Sequence, residues 1–442
     1  MNAKFISVMV LVITSAFCSV WVMEAAYPRT FSVLSYSLAS PQVEPAVTMS
    51  TEGDIPIIVT LKRDLGTLTV APQAFVMAAS EDFSVKYGFD VRNQMFTFEM
   101  VSGTIPRENL SQLYRDPRVR GIWYDELIRV PQVFLGSQYE NEAVTIEEAR
   151  EALGIDNLGD GTGVNVVVID SGASPDVRYV KTWSAIEGEP EEDYYGHGTL
   201  VSWIIQQLTP NSPLYSIKVL DRYGMGRLSD VISGLELALD EVPTPMVINM
   251  SLGLPSSIFD PLSESAGSAV VWHDGVYIFA ATGNSGHGIV LSPAASGNVV
   301  GVGAVGRNYD YLPFSGGGYA FGNIKPDVVS FGAVWGLWLD EFTHVAGTSI
   351  ATPMATSVFA RWLSGQEDKL KVDPVSSAHA GCIDLGEEGP DTYYGVGGFL
   401  TGKVLAQVEP AEKDTPQKRM AVSVPLLGLS AIPAVVVWKK RI

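Results

Sequence analysis

Apolar and polar positions alternate in two different ways along this chain of 442 residues. From residue 164 onward, solid apolar runs are separated by amphipathic windows. The runs at 164–170 (VNVVVID), 214–220 (LYSIKVL), 246–252 (MVINMSL), 276–282 (VYIFAAT) and 299–305 (VVGVGAV) are predominantly apolar and rich in β-branched residues. They read as strands covered on both faces, the condition of a parallel sheet. Between them, 198–208 (GTLVSWIIQQL) and 228–239 (LSDVISGLELAL) space their apolar residues as helices do. Strand then helix, repeated, predicts an α/β fold: a doubly wound, mostly parallel sheet with chemistry gathered at the carboxyl ends of its strands.

Residues 54–140 read differently. IPIIVTLK (55–62) and MFTFEMV (95–101) alternate as strands do, and VRGIWYDELIRV (119–130) reads as one further strand. PRENLSQLYR (106–115) has proline at its start and Pro117 just beyond its end, which a short helix tolerates. These elements predict a small α+β module with helices on one face of a sheet.

Both ends are apolar. Lys4 precedes nineteen uncharged residues at 5–23, the order of a secretory leader, so residues 1–26 read as a signal peptide, or else a signal anchor. A second uncharged run at 421–438 is followed by Lys439, Lys440 and Arg441. At about 1.5 Å per helical residue it reaches roughly 27 Å, close to the thickness of a bilayer core. It is expected to span the membrane once, with 439–442 as a cytoplasmic tail under the positive-inside rule. The polar, proline-interrupted stretch 409–420 reads as a linker, which leaves 144–408 as the main domain on the extracellular face.

Composition narrows the function. The formal net charge is −20, and residues 141–408, with twelve basic and thirty-two acidic side chains, account for all of it. No basic footprint exists with which to displace counterions from phosphates, so a nucleic-acid partner is not expected. Two cysteines, Cys18 and Cys382, exclude a disulfide framework and a multi-cysteine zinc site.

The candidate chemistry is nucleophilic. A serine hydroxyl needs a base to take its proton, and that base needs a partner to orient it and to stabilise its charge. Asp170 ends an apolar strand where a carboxylate has no structural use. His197 lies between Gly196 and Gly198 immediately before a helix. Ser349 occupies a Gly-Thr-Ser turn that opens another helix, whose free amides favour an oxyanion. Asn284, between Gly283 and Gly286 after a buried strand, can supply a side-chain donor to that oxyanion.

Taken together, IDSG, GHGT, ATGNSG and GTSIATPM resemble the subtilisin-like serine peptidases, the subtilases, over residues 144–405. The chain order Asp, His, Ser agrees with that family. The resemblance implies Asp170 as orienting acid, His197 as general base and acid, Ser349 as nucleophile and Asn284 as oxyanion donor. It also makes Ser251, Leu252, Gly253 and Gly283 candidate substrate-binding residues, with Leu252, Ala280 and Gly283 lining an apolar primary pocket. By the same resemblance, 54–140 is a ferredoxin-like inhibitory propeptide, cut from the enzyme somewhere between Val130 and Val144. The expected whole is a membrane-tethered serine endopeptidase, made as a self-processing zymogen that hydrolyses protein or peptide substrates. Its rival is a degenerate subtilase fold that only binds peptides or serves as a structural module at the cell surface.

Three positions depart from the family pattern: Trp203 after GHGTLVS, Met354 after Pro353, and Phe331 after KPDVV. No cofactor is required. Glu187, Glu189, Glu191, Glu192 and Asp193 could hold a structural calcium ion through oxygen ligands, but a solvated loop is the plainer reading. His273, His287, His344 and His379 have no metal-ligand spacing.

Overall fold

The computed structural model describes residues 53–399 apart from 65, 66, 257–259 and 340, together with short strand segments at 11–14, 17–20 and 42–43. The expected linker, apolar C-terminal run and tail lie outside the described residues, as does the leader apart from 11–14 and 17–20. Among the described residues, no helix is long and apolar enough to cross a membrane.

The N-terminal unit is β1 (Asp54–Leu61), α1 (Pro72–Tyr87), β2 (Asp90–Met95), β3 (Met100–Pro106), the short α2 (Leu110–Leu113) and β4 (Val119–Tyr124). Its antiparallel sheet has the order β4-β1-β3-β2, with Gln42–Val43 parallel to β4 at one edge. This is the split β-α-β arrangement of ferredoxin-like folds. Helix α1 buries Phe75, Val76, Ala79 and Phe83 on one stripe and stops at Gly88, whose φ of 62° suits glycine. Of the helix expected at 106–115, only 110–113 is α-helical, because Pro106 still belongs to β3 and a 3-10 turn occupies Arg107–Asn109.

The strand expected over 119–130 is two strands. The chain turns at Asp125, whose carboxylate accepts the Ser229 amide at 2.9 Å and the Ser229 hydroxyl at 2.8 Å. Beyond that turn, β5 (Leu127–Arg129) has left the small sheet. After β6 (Phe134–Leu135), α3 (Ile146–Ala152) opens the main domain with a capping box between Thr145 and Glu148.

The main sheet contains β7 (Asn165–Asp170), β8 (Lys181–Ser184), β9 (Leu214–Lys218), β11 (Met246–Met250), β12 (Val276–Ala281), β13 (Val300–Val305), β14 (Val328–Phe331), β17 (Cys382–Ile383) and β18 (Gly398–Phe399). Its order is β8-β9-β7-β11-β12-β13-β14-β18-β17, parallel throughout except for β17 at the edge. The chain leaves β7 toward β8, returns through β9, then crosses to β11 on the other side of β7. The strand order therefore reverses at β7, and the carboxyl ends beside that point form the crevice where such sheets bind ligands.

Helices cover both faces. On one lie α4 (His197–Leu208) and α7 (Thr348–Ser364), with Leu200, Ile204, Met354 and Phe359 in the core; on the other lie α5 (Leu228–Glu241) and α6 (Pro261–Trp272). The N-terminal unit sits on α5 and α6. Ile58, Met95, Met100 and Trp123 from its sheet join the same apolar cluster as Val231, Leu235, Leu262 and Ala266. Ion pairs frame that contact: Arg92 to Asp230 at 3.0 Å and Arg120 to Glu264 at 2.6 Å. Three further strands, β10 (Met225–Arg227) and the hairpin of β15 (Ala333–Trp338) with β16 (Glu341–Ala346), border the crevice.

Candidate active site

Asp170 is the last residue of β7 and is fully buried. Its Oδ1 accepts the Ser171 amide and lies 2.8 Å from His197 Nδ1. His197 is the first residue of α4, and the turn before it needs glycine. Gly196 has φ of 95°, and a Cβ there would fall 2.8 Å from the Leu339 side chain.

Asp193 holds this arrangement. Its Oδ1 accepts the Ser171 hydroxyl and the amides of Tyr195 and Gly196; its Oδ2 accepts the Thr199 amide and hydroxyl. Ser171 Oγ in turn accepts the Gly198 amide at 2.9 Å. The loop after β7 and the start of α4 are thereby tied together around one carboxylate. Lys218, the last residue of β9 and fully buried, donates to the carbonyls of Ser171 and Glu192 at 2.9 and 3.0 Å. Burial pushes its ammonium below the usual lysine range.

Ser349 stands in the first turn of α7. Its carbonyl accepts from Ser251 Oγ at 2.9 Å, Ser251 Oγ accepts from Asn249 Nδ2, and Asn249 Oδ1 accepts from Thr356. Asn284 Oδ1 accepts the Thr348 amide at 2.7 Å and the Thr348 hydroxyl at 2.8 Å, which turns Nδ2 into the crevice, where it donates to the Gln132 carbonyl at 2.8 Å. A Cβ on Gly347 would sit 2.8 Å from Asn284 Nδ2 and 3.1 Å from Ser349 Oγ, so both atoms flank a space that only glycine leaves open.

Two atoms stand out. His197 Nε2 and Ser349 Oγ are both buried and neither has a hydrogen-bond partner. A buried polar atom without a partner carries a cost of about 1–3 kcal/mol. The hydrogen bond expected between them is open in this state, as catalytic hydrogen bonds often are before a reacting complex tightens.

The structure distributes the expected substrate-binding residues unequally. Gly253 pairs with Arg129 of the N-terminal segment. Ser251 and Gly283 brace the turn that carries Ser349, Gly283 by donating its amide to Thr348 Oγ1 at 3.1 Å. Leu252 is buried in the core. The acidic loop separates too: Glu191 accepts from Thr182, and Asp193 turns inward. Among the described residues, no three His, Cys, Asp or Glu side chains are grouped to hold a metal ion. Asp193, Lys218, Asn249 and Thr348 went unread as parts of the site. The one signal was the place of Asp193 just ahead of a helix start, where an aspartate caps.

The sequence profile described as the subtilase family matches residues 145–397. The chain belongs to that family. It is a subtilisin-like serine peptidase. A thermostable alkaline protease of Halalkalibacterium halodurans is 29% identical over 297 residues, which cover 64% of this chain and 77% of the relative. An alkaline protease of Alkalihalobacillus alcalophilus is 36% identical over 205 residues, covering 44% and 52%. Subtilisin Savinase of Lederbergia lenta is 36% identical over 205 residues, covering 44% and 73%. The matched stretches thus amount to between half and about three quarters of these relatives' own lengths.

In this subtilase, Asp193 is a positioning residue. Asp193→Ala removes a helix cap and leaves four donors of the His197 turn unpaired, so a stability loss at or above about 2 kcal/mol is expected. Urea unfolding measures it, and a loss under about 0.5 kcal/mol would show that the carboxylate does not hold the turn.

Proposed function

We propose that this subtilase is a secreted, membrane-tethered serine endopeptidase, made as a zymogen that cuts itself, with the N-terminal unit as its inhibitory propeptide. One contact carries the reading: Asn284 Nδ2 donates to the main-chain carbonyl of Gln132 at 2.8 Å. The donor meant for an oxyanion already holds a carbonyl of the chain's own N-terminal segment. That segment lies in the crevice as a substrate would. Its β5 pairs antiparallel with β10, Arg129 bridges to Gly253, and the Val130 amide donates to Gly224 O at 3.1 Å. Recognition by strand addition takes affinity from the main chain and selectivity from alternate side chains, here the buried Ile128 and Val130.

The chemistry follows from that placement. Ser349 Oγ attacks the Gln132 carbonyl carbon while His197 Nε2 takes the hydroxyl proton, and Asp170 holds the imidazole through Nδ1. The oxygen, now negative, rests between Asn284 Nδ2 and the amides at the start of α7. The bond to Val133 nitrogen then breaks as His197 gives that nitrogen its proton, leaving Gln132 esterified to Ser349 until water displaces it. Self-cleavage therefore falls at Gln132–Val133, inside the interval the sequence allowed. The same steps apply to an extended protein substrate once the propeptide has gone.

Removing the donor should slow the cut. For Asn284→Gly, turnover is expected to fall by about 100- to 1000-fold with precursor accumulating, as read by mass spectrometry of the purified chain over time. An unchanged rate would take Asn284 out of the reaction.

Release of the cut propeptide should depend on pH. Burial pushes the carboxyls of Asp125, Asp230 and Glu236 above the ordinary range, in Asp230 against the opposing pull of Arg92. All three lie at the contact between the two units. An acid whose value is raised in the contact stabilises it at low pH, and loses that contribution as pH rises through the raised value. Dissociation of the cut propeptide should therefore quicken as pH climbs above about 4 toward neutrality. Stopped-flow release measured across that range would count against this assignment if it slowed instead.

The membrane tether rests on the apolar run at 421–438 and the basic residues after it. Deleting 421–442 should move peptidase activity from the membrane fraction to the medium. Activity that stays with membranes would remove the tether.

A further inference from the structure

Cutting at Gln132–Val133 would separate two anchored segments with different fates, and we propose that the second of them, residues 133–144, stays behind as a strap that fills the primed side of the cleft. This inference rests on the peptidase reading above. Residues 54–132 would leave with the propeptide, whereas 133–144 remain joined to α3.

The strap is fastened at both ends and in the middle. β6 pairs antiparallel with β16, Phe134 opposite Ala346 and Leu135 opposite Val345, and the Gly136 amide donates to His344 O at 3.3 Å. Ala346 is three residues before Ser349, so this strand lies where the leaving side of a substrate must run. The Phe134 ring packs on Phe314 at 5.0 Å and on Tyr139 at 5.3 Å, and Tyr139 meets Phe314 edge-on at 5.1 Å. Further along, the Arg307 amide donates to Glu142 O, the Val144 amide to Ala333 O at 3.1 Å, and the Trp335 amide to Val144 O at 3.0 Å. Ala143 and Val144 are buried in the main core.

None of these contacts involves the propeptide unit. Breaking the bond after Gln132 removes no partner from Phe134, Tyr139, Gly136 or Val144. The strap is thus held by the domain it belongs to, and its loss-of-order entropy is already paid through its covalent link to α3. A substrate with residues beyond the scissile bond must displace it. One that ends in a small leaving group need not.

The test uses the processed enzyme and two substrates with the same sequence before the cut, Leu-Ile-Arg-Val-Pro-Gln. One ends in p-nitroanilide; the other continues as Val-Phe-Leu in an internally quenched peptide. Phe134→Ser and, separately, Tyr139→Ala should raise kcat/KM for the extended peptide at least about tenfold relative to the anilide, since each removes two aromatic contacts together with buried area. Anilide hydrolysis should stay as in the parent. In the parent enzyme, hydrogen exchange over 133–144 should remain slow after processing. An unmoved ratio between the substrates, fast exchange in that segment, or a mature N-terminus beyond 144 would overturn the strap while leaving the peptidase intact. If the variants fail to fold, the exchange result on the parent decides. Absence of anilide hydrolysis in the parent would overturn the peptidase reading and the strap with it.

Discussion

Replacing Ser349 by alanine is expected to lower turnover by about a millionfold, the size of the loss when subtilisin loses its triad serine, and to leave the precursor whole. The change is small in structural terms. Ser349 Oγ makes no hydrogen bond, and the turn that carries it is fixed by the Ser349 carbonyl to Ser251 and by Thr348 to Asn284. Deleting one unpartnered hydroxyl should therefore leave stability nearly unchanged, within about 0.5 kcal/mol. The combination separates a catalytic serine from a structural one. Thermal unfolding and single-turnover kinetics on the same sample read both quantities, and a large drop in stability with residual self-cleavage would contradict the assignment.

Asp170→Asn is expected to cost about four orders of magnitude in kcat with little change in KM. Asp170 Oδ1 accepts from the Ser171 amide and faces His197 Nδ1 at 2.8 Å, with no water-exposed surface on either side chain. An asparagine that offers its NH2 group to the ring pins the imidazole proton on Nε2, where it can no longer accept from Ser349. One that offers its oxygen instead keeps the tautomer but leaves the imidazolium without a counter-charge in a buried site. Either outcome strikes the transition state rather than substrate binding. A variant whose KM rises in step with an unchanged kcat would make Asp170 a substrate contact.

Much of this architecture is written in local composition. The β-branched runs of β7, β9, β11, β12 and β13 can only be strands covered on both faces, and each ends within two residues of where the sequence places it. The same local clarity marks Asp170, His197, Asn284 and Ser349, because each breaks an apolar run or opens a helix beside glycine. Other elements left weaker traces. Helix α1 escaped notice because Met77 and Val85 are exposed on the face opposite its buried stripe, which blurs the period. The hairpin β15–β16 mixes aromatic and polar residues without alternation, since its tip covers His197 through Trp338, whose ring lies 6.1 Å from the imidazole. Trp203, out of place for the family, is explained by that hairpin: its ring meets Phe342 at 6.1 Å.

What could not be read at all was long-range. Lys218 looks like the end of any strand until its ammonium is found beneath the carbonyls of Ser171 and Glu192, and Asp193 looks like one more charge in an acidic loop until five donors converge on it. Gln132 meets Asn284 across 152 positions, and no property of either residue's neighbours announces that contact.

The central claim is that Asp170, His197 and Ser349 act as one unit on a carbonyl held by Asn284, and a fluorophosphonate probe tests it most directly. The probe should add one phosphonyl group to the processed protein, on Ser349 alone, and His197→Ala, cut in trans by the parent enzyme, should lose the adduct while the fold survives. A folded, processed enzyme that takes up no label, or takes it up equally without His197, would contradict the account.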